Sequence, residues 1–308
     1  MSSEKPKIVI IAGPTASGKS TVGIALAEKF GGEIVSADSV QIYRFMDVGS
    51  AKPSIRERTR TPHHLIDIRD PDEDFTAGDY VKEAREAVTG ILQRGRVPFV
   101  VGGTGLYIRL LLGGIVELPP ADLETRQRLL REEQDAGPGT LYQRLASIDP
   151  ETASRTTPQN LLRILRGLEV FEATGKSISW FQKKHFFKDR PYSALFICLN
   201  PPRPILYERI DKRVDCMIKG GLCDEVSQLY ARGYTRKLKP LQSLGYRHAC
   251  QILAGETNPE EAIRLMKRDT RRYAKRQLTW FRSEPGVLWF DPEQIEGIGF
   301  VVAHFLGG

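Results

Sequence analysis

The sequence of 308 residues is poor in cysteine and lacks the spacings that hold a metal. Its four cysteines are Cys198, Cys216, Cys223 and Cys250. No two of them form a C-x-x-C pair, and no histidine lies at zinc-finger spacing from them. We therefore interpret all four as reduced thiols in the core or on the surface.

Long hydrophobic runs are absent as well. The longest uncharged apolar runs, such as residues 8–12 and 99–101, are far too short to cross a bilayer. Residues 1–7 contain charges, and no apolar segment of the signal-peptide kind precedes the first predicted strand. These absences predict a cytoplasmic protein without a membrane partner.

Several catalytic motifs are missing, and each absence excludes a class of enzyme. Asn160, Asn200 and Asn258 are followed by Leu or Pro, so the chain has no N-K-x-D segment and a GTPase is excluded. H-E-x-x-H and G-x-S-x-G do not occur, and no Cys/His pair suggests a nucleophile. The adjacent His63 and His64 point in different directions, which favours a role in local structure over a metal pair.

The overall composition is that of a soluble enzyme. Hydrophobic residues make up 41% of the chain and charged residues 27%, which is too apolar for a disordered chain. Lys and Arg number 45 against 38 Asp and Glu, a net charge of +7. This surplus is modest, and it is compatible with a polyanionic partner without requiring one.

Apolar periodicity predicts alternating strands and helices in the first part of the chain. Strands are predicted at 7–12, 33–36 and 97–101, with helices at 19–30 and 79–94. This alternation indicates a parallel sheet covered by helices on both faces.

No strand pattern occurs between Pro120 and Pro191. Helices are predicted there at 122–134, 141–147 and 160–174, with Asp122 capping the first. A strand returns at 192–199, followed by helices at 204–217, 224–231, 242–253 and 259–282 and an edge strand at 287–290. We therefore predict a sheet domain in two parts, 1–120 and 189–308, and an all-helical insertion domain at 121–188.

The strongest motif is G-x-x-x-x-G-K-[ST], which residues 13–20 form between the first strand and the first helix. A ring of backbone N–H groups at a helix N-terminus suits a di- or triphosphate. Lys19 would reach the terminal phosphate, and Ser20 would hold Mg²⁺. The motif and the strand pattern predict a P-loop NTPase-like α/β fold, and they leave the phosphorylated compound open.

Asp38 follows the second predicted strand, at the sheet edge where ligands bind. Taken alone, an Asp at this place is more often a turn or cap residue. The residues considered so far leave a small-molecule kinase open.

A basic helix lies near the end of the chain. Between residues 264 and 282, eight lysines and arginines face a single acid, Asp269. Solvated faces normally mix signs, so this imbalance favours contact with a polyanion. Arg209 and Arg213 lie four residues apart on one helix face, where phosphate binding and plain solvation are equally good interpretations.

Taken together, these segments resemble the tRNA dimethylallyltransferase family from Ile8 to about Arg282, in its bacterial form. The chain lacks the Cys/His finger extension of eukaryotic members. The motifs that carry the resemblance follow one another in the family's order: Gly13–Ser20, Asp38–Tyr43, Asp47–Pro53, His63–Asp67, Val101–Tyr107, Arg163–Val170, Leu244–Arg247 and Ala274–Arg282.

The resemblance implies transfer of a dimethylallyl group from dimethylallyl diphosphate to N6 of the adenosine just 3′ of the anticodon, in the anticodon stem-loop of tRNA. It makes Asp38 the general base, lets Thr104 line the reaction channel and gives Arg213 a part in diphosphate binding. The implied diphosphate-binding residues are Gly13, Thr15, Ala16, Ser17, Gly18, Lys19 and Ser20, with Mg²⁺ on Ser20. The implied tRNA-contacting residues are Asp38, Ser39, Val40, Gln41, Thr104, Arg126, Arg163, Arg166, Gln242, Gly245, Tyr246, Arg247, Lys275, Arg276, Gln277, Trp280 and Arg282. We expect a monomer with no obligate protein partner, whose P-loop has the form of an ATP-binding site.

Two other classes of function compete with this interpretation. A small-molecule kinase would turn over ATP and leave the basic helix unexplained. A non-catalytic RNA-binding NTPase would bind tRNA without modifying it. Labelled dimethylallyl diphosphate, Mg²⁺ and unmodified tRNA, followed by nucleoside analysis, separate the three classes.

Overall fold

Five short apolar runs and one histidine pair form a single sheet in the structure, a computed structural model that describes residues 5–116, 118–120, 122–185 and 190–307. Every neighbouring pair of strands is parallel, as the sequence predicts, and the strand order is β3-β2-β4-β1-β5-β6. The carboxyl ends of these strands therefore meet at one edge of the sheet. The strands are β1 (Lys7–Ala12), β2 (Gly32–Ser36), β3 (His63–His64), β4 (Val97–Gly102), β5 (Ser193–Leu199) and β6 (Leu288–Phe290).

Helices connect the strands and fill the interval between β4 and β5. In chain order they are α1 (Lys19–Lys29), α2 (Ile55–Arg60), α3 (Ala77–Gln93), α4 (Gly105–Gly113), α5 (Leu123–Ala136), α6 (Thr140–Ile148), α7 (Pro150–Ser154), α8 (Leu161–Thr174), α9 (Ile178–His185), α10 (Arg203–Lys219), α11 (Leu222–Ala231), α12 (Tyr246–Leu253), α13 (Pro259–Arg282) and α14 (Ile295–Gly307). A 3₁₀ turn at Lys239–Gln242 precedes α12.

Two compact units share the chain: Met1–Leu112 with Pro191–Gly308 form the first, and Gly113–Arg190 the second. The first contains the sheet. Its core includes Val9 and Phe99 from the strands, Leu26 from α1, and Ile298 and Val302 from α14. These side chains pack on one face of the sheet, whereas the fully buried Ile8 and Ile10 of β1 alternate to the other face. Burial on both faces stabilises the central parallel strands.

The described residues of the second unit are helical and contain no strand. Leu129, Leu145, Ile164 and Leu168 are fully buried there and form a separate core. Asp122 accepts hydrogen bonds from the backbone of Glu124 and Thr125 at 3.2 and 3.1 Å and caps α5, as the sequence predicts. The structural unit runs from 113 to 190, whereas the domain prediction runs from 121 to 188.

The predicted helix at 242–253 is wrong in its first turn. Residues 239–242 form the 3₁₀ turn, and Gly245 has φ +89°, so α12 begins only at Tyr246. A positive φ breaks a right-handed helix, and glycine adopts it without steric cost. The C-terminal α14 is not among the predicted helices, although its apolar side completes the core of the first unit.

The histidine pair has the local role that the sequence favours. His63 and His64 form β3 beside β2, and Nε2 of His64 lies 2.8 Å from a carboxylate oxygen of the buried Glu33. No cluster of three or more His, Cys, Asp or Glu side chains able to hold a metal occurs among the described residues. No described helix is long and apolar enough to span a membrane.

Candidate active site

The P-loop between β1 and α1 exposes backbone donors at the carboxyl edge of the sheet. Gly18 is the N-cap of α1, with φ +89° and no side-chain cap. Because the first N–H groups of a helix lack intrahelical acceptors, those of α1 are open to an anion. Ala16 has φ +63°, a backbone conformation that residues other than glycine rarely adopt. The hydroxyl of Ser17 is buried without a hydrogen-bond partner in the described structure.

Lys19, the first residue of α1, folds back over this loop. Its Nζ donates to the Pro14 carbonyl at 3.2 Å. Burial, and after it the positive charge of Arg213, lower the pKa of Lys19 to about 8, while Asp38 opposes the shift. The three charged groups line one cavity, in which their charges act on one another. An anion bound beside Lys19 would favour its protonated form.

Asp38 lies just beyond β2 and holds a turn with one of its two oxygens. Its Oδ1 accepts hydrogen bonds from the backbone of Val40 at 2.9 Å and Gln41 at 3.3 Å. Its Oδ2 has no hydrogen-bond partner in the part of the chain that the structure describes. Asp38 is thus both the turn residue that the sequence suggests and a half-buried carboxylate with a free oxygen.

Thr104 braces the Asp38 turn from the end of β4. Its hydroxyl accepts a hydrogen bond from the Ser39 backbone at 3.2 Å, and its own N–H donates to the Ala37 carbonyl at 3.0 Å. A Cβ on Gly102 would lie 2.1 Å from that Ala37 carbonyl oxygen, so the close approach of the two segments requires glycine. The role of Thr104 in lining a reaction channel stays a prediction.

Arg213 reaches the site from α10. Its guanidinium donates to the Ser50 carbonyl at 3.2 Å, and burial lowers its pKa. Arg213 stays charged despite this shift because a guanidinium does not deprotonate in proteins. A half-buried cation without a carboxylate partner among the described residues is a natural ligand for a phosphate group.

One cavity of about 360 Å³ brings most of the sequence-predicted residues together. Apolar side chains line part of it, including Val214, Met217 and Met266. Tyr273, which the sequence analysis does not single out, also lines it, and burial raises its pKa to about 12, with a smaller contribution from Asp38. The predicted residues that line it are Thr15, Lys19, Ser20, Asp38, Ser39, Val40, Gln41, Arg213, Gln242, Gly245, Arg247, Arg276 and Gln277.

Two residues predicted to contact tRNA form hydrogen bonds within the protein. Gln277 is buried; its Oε1 accepts from the Thr15 backbone and its Nε2 donates to the Gly103 carbonyl, both at 2.9 Å. Tyr246 is fully buried and donates from its hydroxyl to Glu225 at 2.7 Å. As RNA contacts both residues stay predictions. Their observed bonds tie α13 to the loops of the site and α12 to α11.

Acids from a neighbouring helix reduce the charge imbalance of the basic helix in the folded chain, and its contact with a polyanion stays a prediction. Arg271 pairs with Asp211 at 2.6 Å and Lys267 with Asp215 at 2.7 Å, and both acids lie on α10. The sequence window could not include acids from a neighbouring helix. The basic residues of α13 with no carboxylate partner in the described chain are Lys275, Arg276 and Arg282, and all three are exposed.

Three other residues predicted to contact tRNA also have contacts within the protein. The Trp280 ring stacks under the Arg109 guanidinium, 4.1 Å from the ring centroid, and would lie 2.3 Å from a Cβ on Gly105. Gln242 is exposed and donates to the Arg236 carbonyl. Arg247 pairs with Asp269 at 2.6 Å.

In the second unit, the predicted arginines pair within the unit. Arg126 binds the buried carboxylate of Glu169 through two nitrogens, at 2.7 and 3.1 Å. Arg166 donates to the Pro119 carbonyl at 2.6 Å, and Arg163 to the Arg155 carbonyl at 3.2 Å. These bonds explain how the helices hold their arginines, and the tRNA contacts of the three stay predictions.

Comparison with known proteins gives consistent results. Residues 41–284 match the model of the family described as IPP transferase. The chain is 50% identical to a tRNA dimethylallyltransferase of Syntrophobacter fumaroxidans over 94% of its own length and 85% of that protein. It is 48% identical to one of Desulfosudis oleivorans, over 98% of this chain and 96% of the relative.

Two solved structures share the fold. The tRNA isopentenylpyrophosphate transferase of Bacillus halodurans is 40% identical, with a TM-score of 0.73 over 98% of this chain and 97% of its own. A eukaryotic dimethylallyltransferase acting on tRNA is 29% identical, with a TM-score of 0.78 over 93% of this chain and 74% of its own.

Proposed function

The chain belongs to the IPP transferase family of tRNA dimethylallyltransferases, and on that basis we propose that it transfers a dimethylallyl group from dimethylallyl diphosphate to N6 of an adenosine beside the anticodon of tRNA. The observation that carries the assignment of residues is a single cavity lined by Lys19, Arg213 and Asp38. Two cations and one carboxylate in one cavity suit a reaction with an anionic leaving group and a proton-releasing nucleophile.

The diphosphate lies at the cationic end. The open N–H groups of α1 and the side chains of Lys19 and Arg213 bind its oxygens. These donors are strongest for the free diphosphate, whose negative charge grows as the bond to carbon breaks. The P-loop thus stabilises a leaving group instead of presenting a nucleotide for phosphoryl transfer.

Mg²⁺ fits this end of the cavity as an ion shared with the substrate. Ser20 is exposed at the cavity, and its hydroxyl bonds to no other group within the described ranges. No carboxylate cage surrounds it among the described residues, which matches the preference of Mg²⁺ for substrate phosphates and water. Ser20 would hold the ion, which when bound neutralises charge on the diphosphate oxygens.

The adenine N6 lies at the Asp38 end. As the N6–C1 bond forms, the C1–O bond breaks and its electron pair leaves with the diphosphate. N6 must then lose one proton, and the free Oδ2 of Asp38 accepts it. The allylic carbon gains cation character during this exchange, so the apolar side chains of Val214, Met217 and Met266 serve to keep water away from it.

tRNA is held mainly by α13, where Arg276 lines the cavity and Lys275 and Arg282 do not. The exposed, carboxylate-free Lys275, Arg276 and Arg282 on α13 are suited to phosphate contacts. The target base lies in a loop of the RNA, where it can leave its stack and enter a pocket at modest cost.

The experiment uses the purified full chain, labelled dimethylallyl diphosphate, Mg²⁺ and unmodified tRNA. Nucleoside analysis is expected to show label on adenosine, and a tRNA carrying guanosine at the target position is the control. ATP turnover with a small acceptor and no labelled nucleoside would support a kinase. tRNA binding with ATP hydrolysis and no transfer would support an RNA-binding NTPase.

A further inference from the structure

Glu225 on α11, a residue outside the cavity, binds the backbone of three successive residues in the loop from Asp47 to Ser50. One carboxylate oxygen of Glu225 accepts from the backbone of Asp47 at 2.8 Å and Val48 at 2.7 Å. The other accepts from the backbone of Gly49 at 3.1 Å and from the Tyr246 hydroxyl at 2.7 Å. A carboxylate has about four lone-pair sites, so these four bonds use its full capacity.

Gly49 is pressed against the same anchor. A Cβ at this position would lie 2.5 Å from the Tyr246 ring and 2.8 Å from Leu222, so only glycine lets the loop come this close. Tyr246 is fully buried, and burial together with the charge of Glu225 raises its pKa, which keeps the hydroxyl protonated as a donor. The loop is therefore fixed by packing and by three backbone hydrogen bonds to Glu225, whose carboxylate accepts a fourth from Tyr246.

The next residue of the loop faces the cavity. The Ser50 carbonyl accepts from the guanidinium of Arg213 at 3.2 Å and from the side-chain amide of Gln41 at 3.4 Å. This carbonyl is the one hydrogen-bond acceptor of Arg213 in the described protein. The position of the loop thus decides where the buried guanidinium points.

We propose that Glu225 is a positioning residue for diphosphate recognition, which orients Arg213 by holding residues 47–49 and, through them, the Ser50 carbonyl. The proposal rests on the proposed function, in which Arg213 binds the diphosphate. Glu225 touches no substrate. Its effect is confined to the affinity for the diphosphate, because Lys19 and the α1 N-terminus are held by other contacts.

The first test is Glu225→Gln. A glutamine offers one acceptor oxygen and can keep at most two of the four bonds. The KM for dimethylallyl diphosphate is expected to rise by roughly ten-fold, with kcat and the tRNA Kd within about two-fold of wild type. The matched control is Asp224→Asn, which removes the same charge from the neighbouring exposed residue of the helix and leaves KM unchanged.

A double-mutant cycle tests whether Glu225 acts through Arg213. Arg213→Ala alone also raises KM, and adding Glu225→Gln to it should raise KM no further, since the guanidinium to be oriented is gone. If the two substitutions together raise KM by the product of their separate effects, the proposal is overturned. An unchanged KM in Glu225→Gln would overturn it as well. If that variant does not fold, Tyr246→Phe removes only one bond and is expected to raise KM in the same direction. An unchanged KM there also counts against the inference.

Calorimetric titration of the protein with dimethylallyl diphosphate in the presence of Mg²⁺ tests the positioning role of Glu225 separately from the proposed function. Weaker diphosphate binding in Glu225→Gln supports the positioning role even if the wild-type chain fails to modify tRNA. An active wild-type enzyme whose Glu225→Gln variant binds diphosphate normally leaves the proposed function standing and overturns the inference.

Discussion

Replacing Asp38 by Asn removes one charge and keeps the turn that the residue holds. The Oδ1 that accepts from Val40 at 2.9 Å and Gln41 at 3.3 Å has an equivalent in asparagine. The change falls on the free oxygen, which becomes an NH₂ group unable to take a proton from N6. Local structure should therefore survive while the proposed proton acceptor is lost.

The expected loss in kcat is about 10²–10⁴-fold, the usual contribution of general acid–base catalysis. This corresponds to roughly 2.7–5.4 kcal/mol on the activation barrier. Diphosphate affinity should not fall, because the variant removes a negative charge from a cavity that also holds Lys19 and Arg213. A lower kcat with an unchanged or lower KM for dimethylallyl diphosphate is thus the expected signature.

The assay is a single-turnover rate at saturating diphosphate and pH 7, with a filter-binding Kd for tRNA. Asp72→Asn, at an exposed carboxylate outside the cavity, is the control for loss of charge alone. A near-normal rate would refute the role of Asp38 as the base. A variant whose only defect is lost tRNA binding would refute it equally, since it would assign Asp38 to RNA recognition.

Three further predictions concern Lys19 in the P-loop and the basic residues of α13. Lys19→Ala removes a charge-assisted contact worth about 1.5–3 kcal/mol, so it should lower kcat/KM for dimethylallyl diphosphate by roughly 10- to 100-fold. The affinity for tRNA should stay the same, and unchanged kinetic constants would contradict the P-loop assignment. Because the pKa of Lys19 is lowered to about 8, the KM for the diphosphate should rise above that pH, where binding must recruit a proton; a flat KM from pH 7 to 9.5 would be the contrary result. The double variant Lys275→Ala, Arg276→Ala should bind tRNA more weakly, and the slope of log K against log salt concentration should fall by about 0.7–0.9 per lost phosphate contact. Arg271 is already paired with Asp211, so Arg271→Ala should change this slope less.

Local signals predicted most of the sheet and the long helices. The apolar run of β1 and the capped, periodic segment of α13 are observed with the predicted bounds, 7–12 and 259–282. Asn258 and Pro259 supply the N-cap and first turn of α13, which are short-range features readable from sequence. The P-loop and Asp38 could be placed at one sheet edge because parallel strands end there.

Features that depend on distant residues could not be predicted in this way. The neutralisation of Arg271 and Lys267 depends on Asp211 and Asp215 across a helix–helix contact. Glu225 carries no motif of its own; only the fold shows that its carboxylate meets the loop that ends at Ser50. The composition of a segment describes its own charges, whereas its function depends on the charges that remain unpaired after folding.

The charge arrangement of the site follows from its proposed task. Burial and Arg213 lower the pKa of Lys19 from 10.5 to about 8, so between these values the unfolded chain binds more protons than the folded one. Stability therefore rises with pH across this window and carries the full cost of the buried cation below it. A diphosphate reverses the sign of that interaction, because each cation then meets an anion. The like charges of Lys19 and Arg213 thus favour the anionic leaving group, and the free oxygen of Asp38, which lines the same cavity, is available to act on the nucleophile.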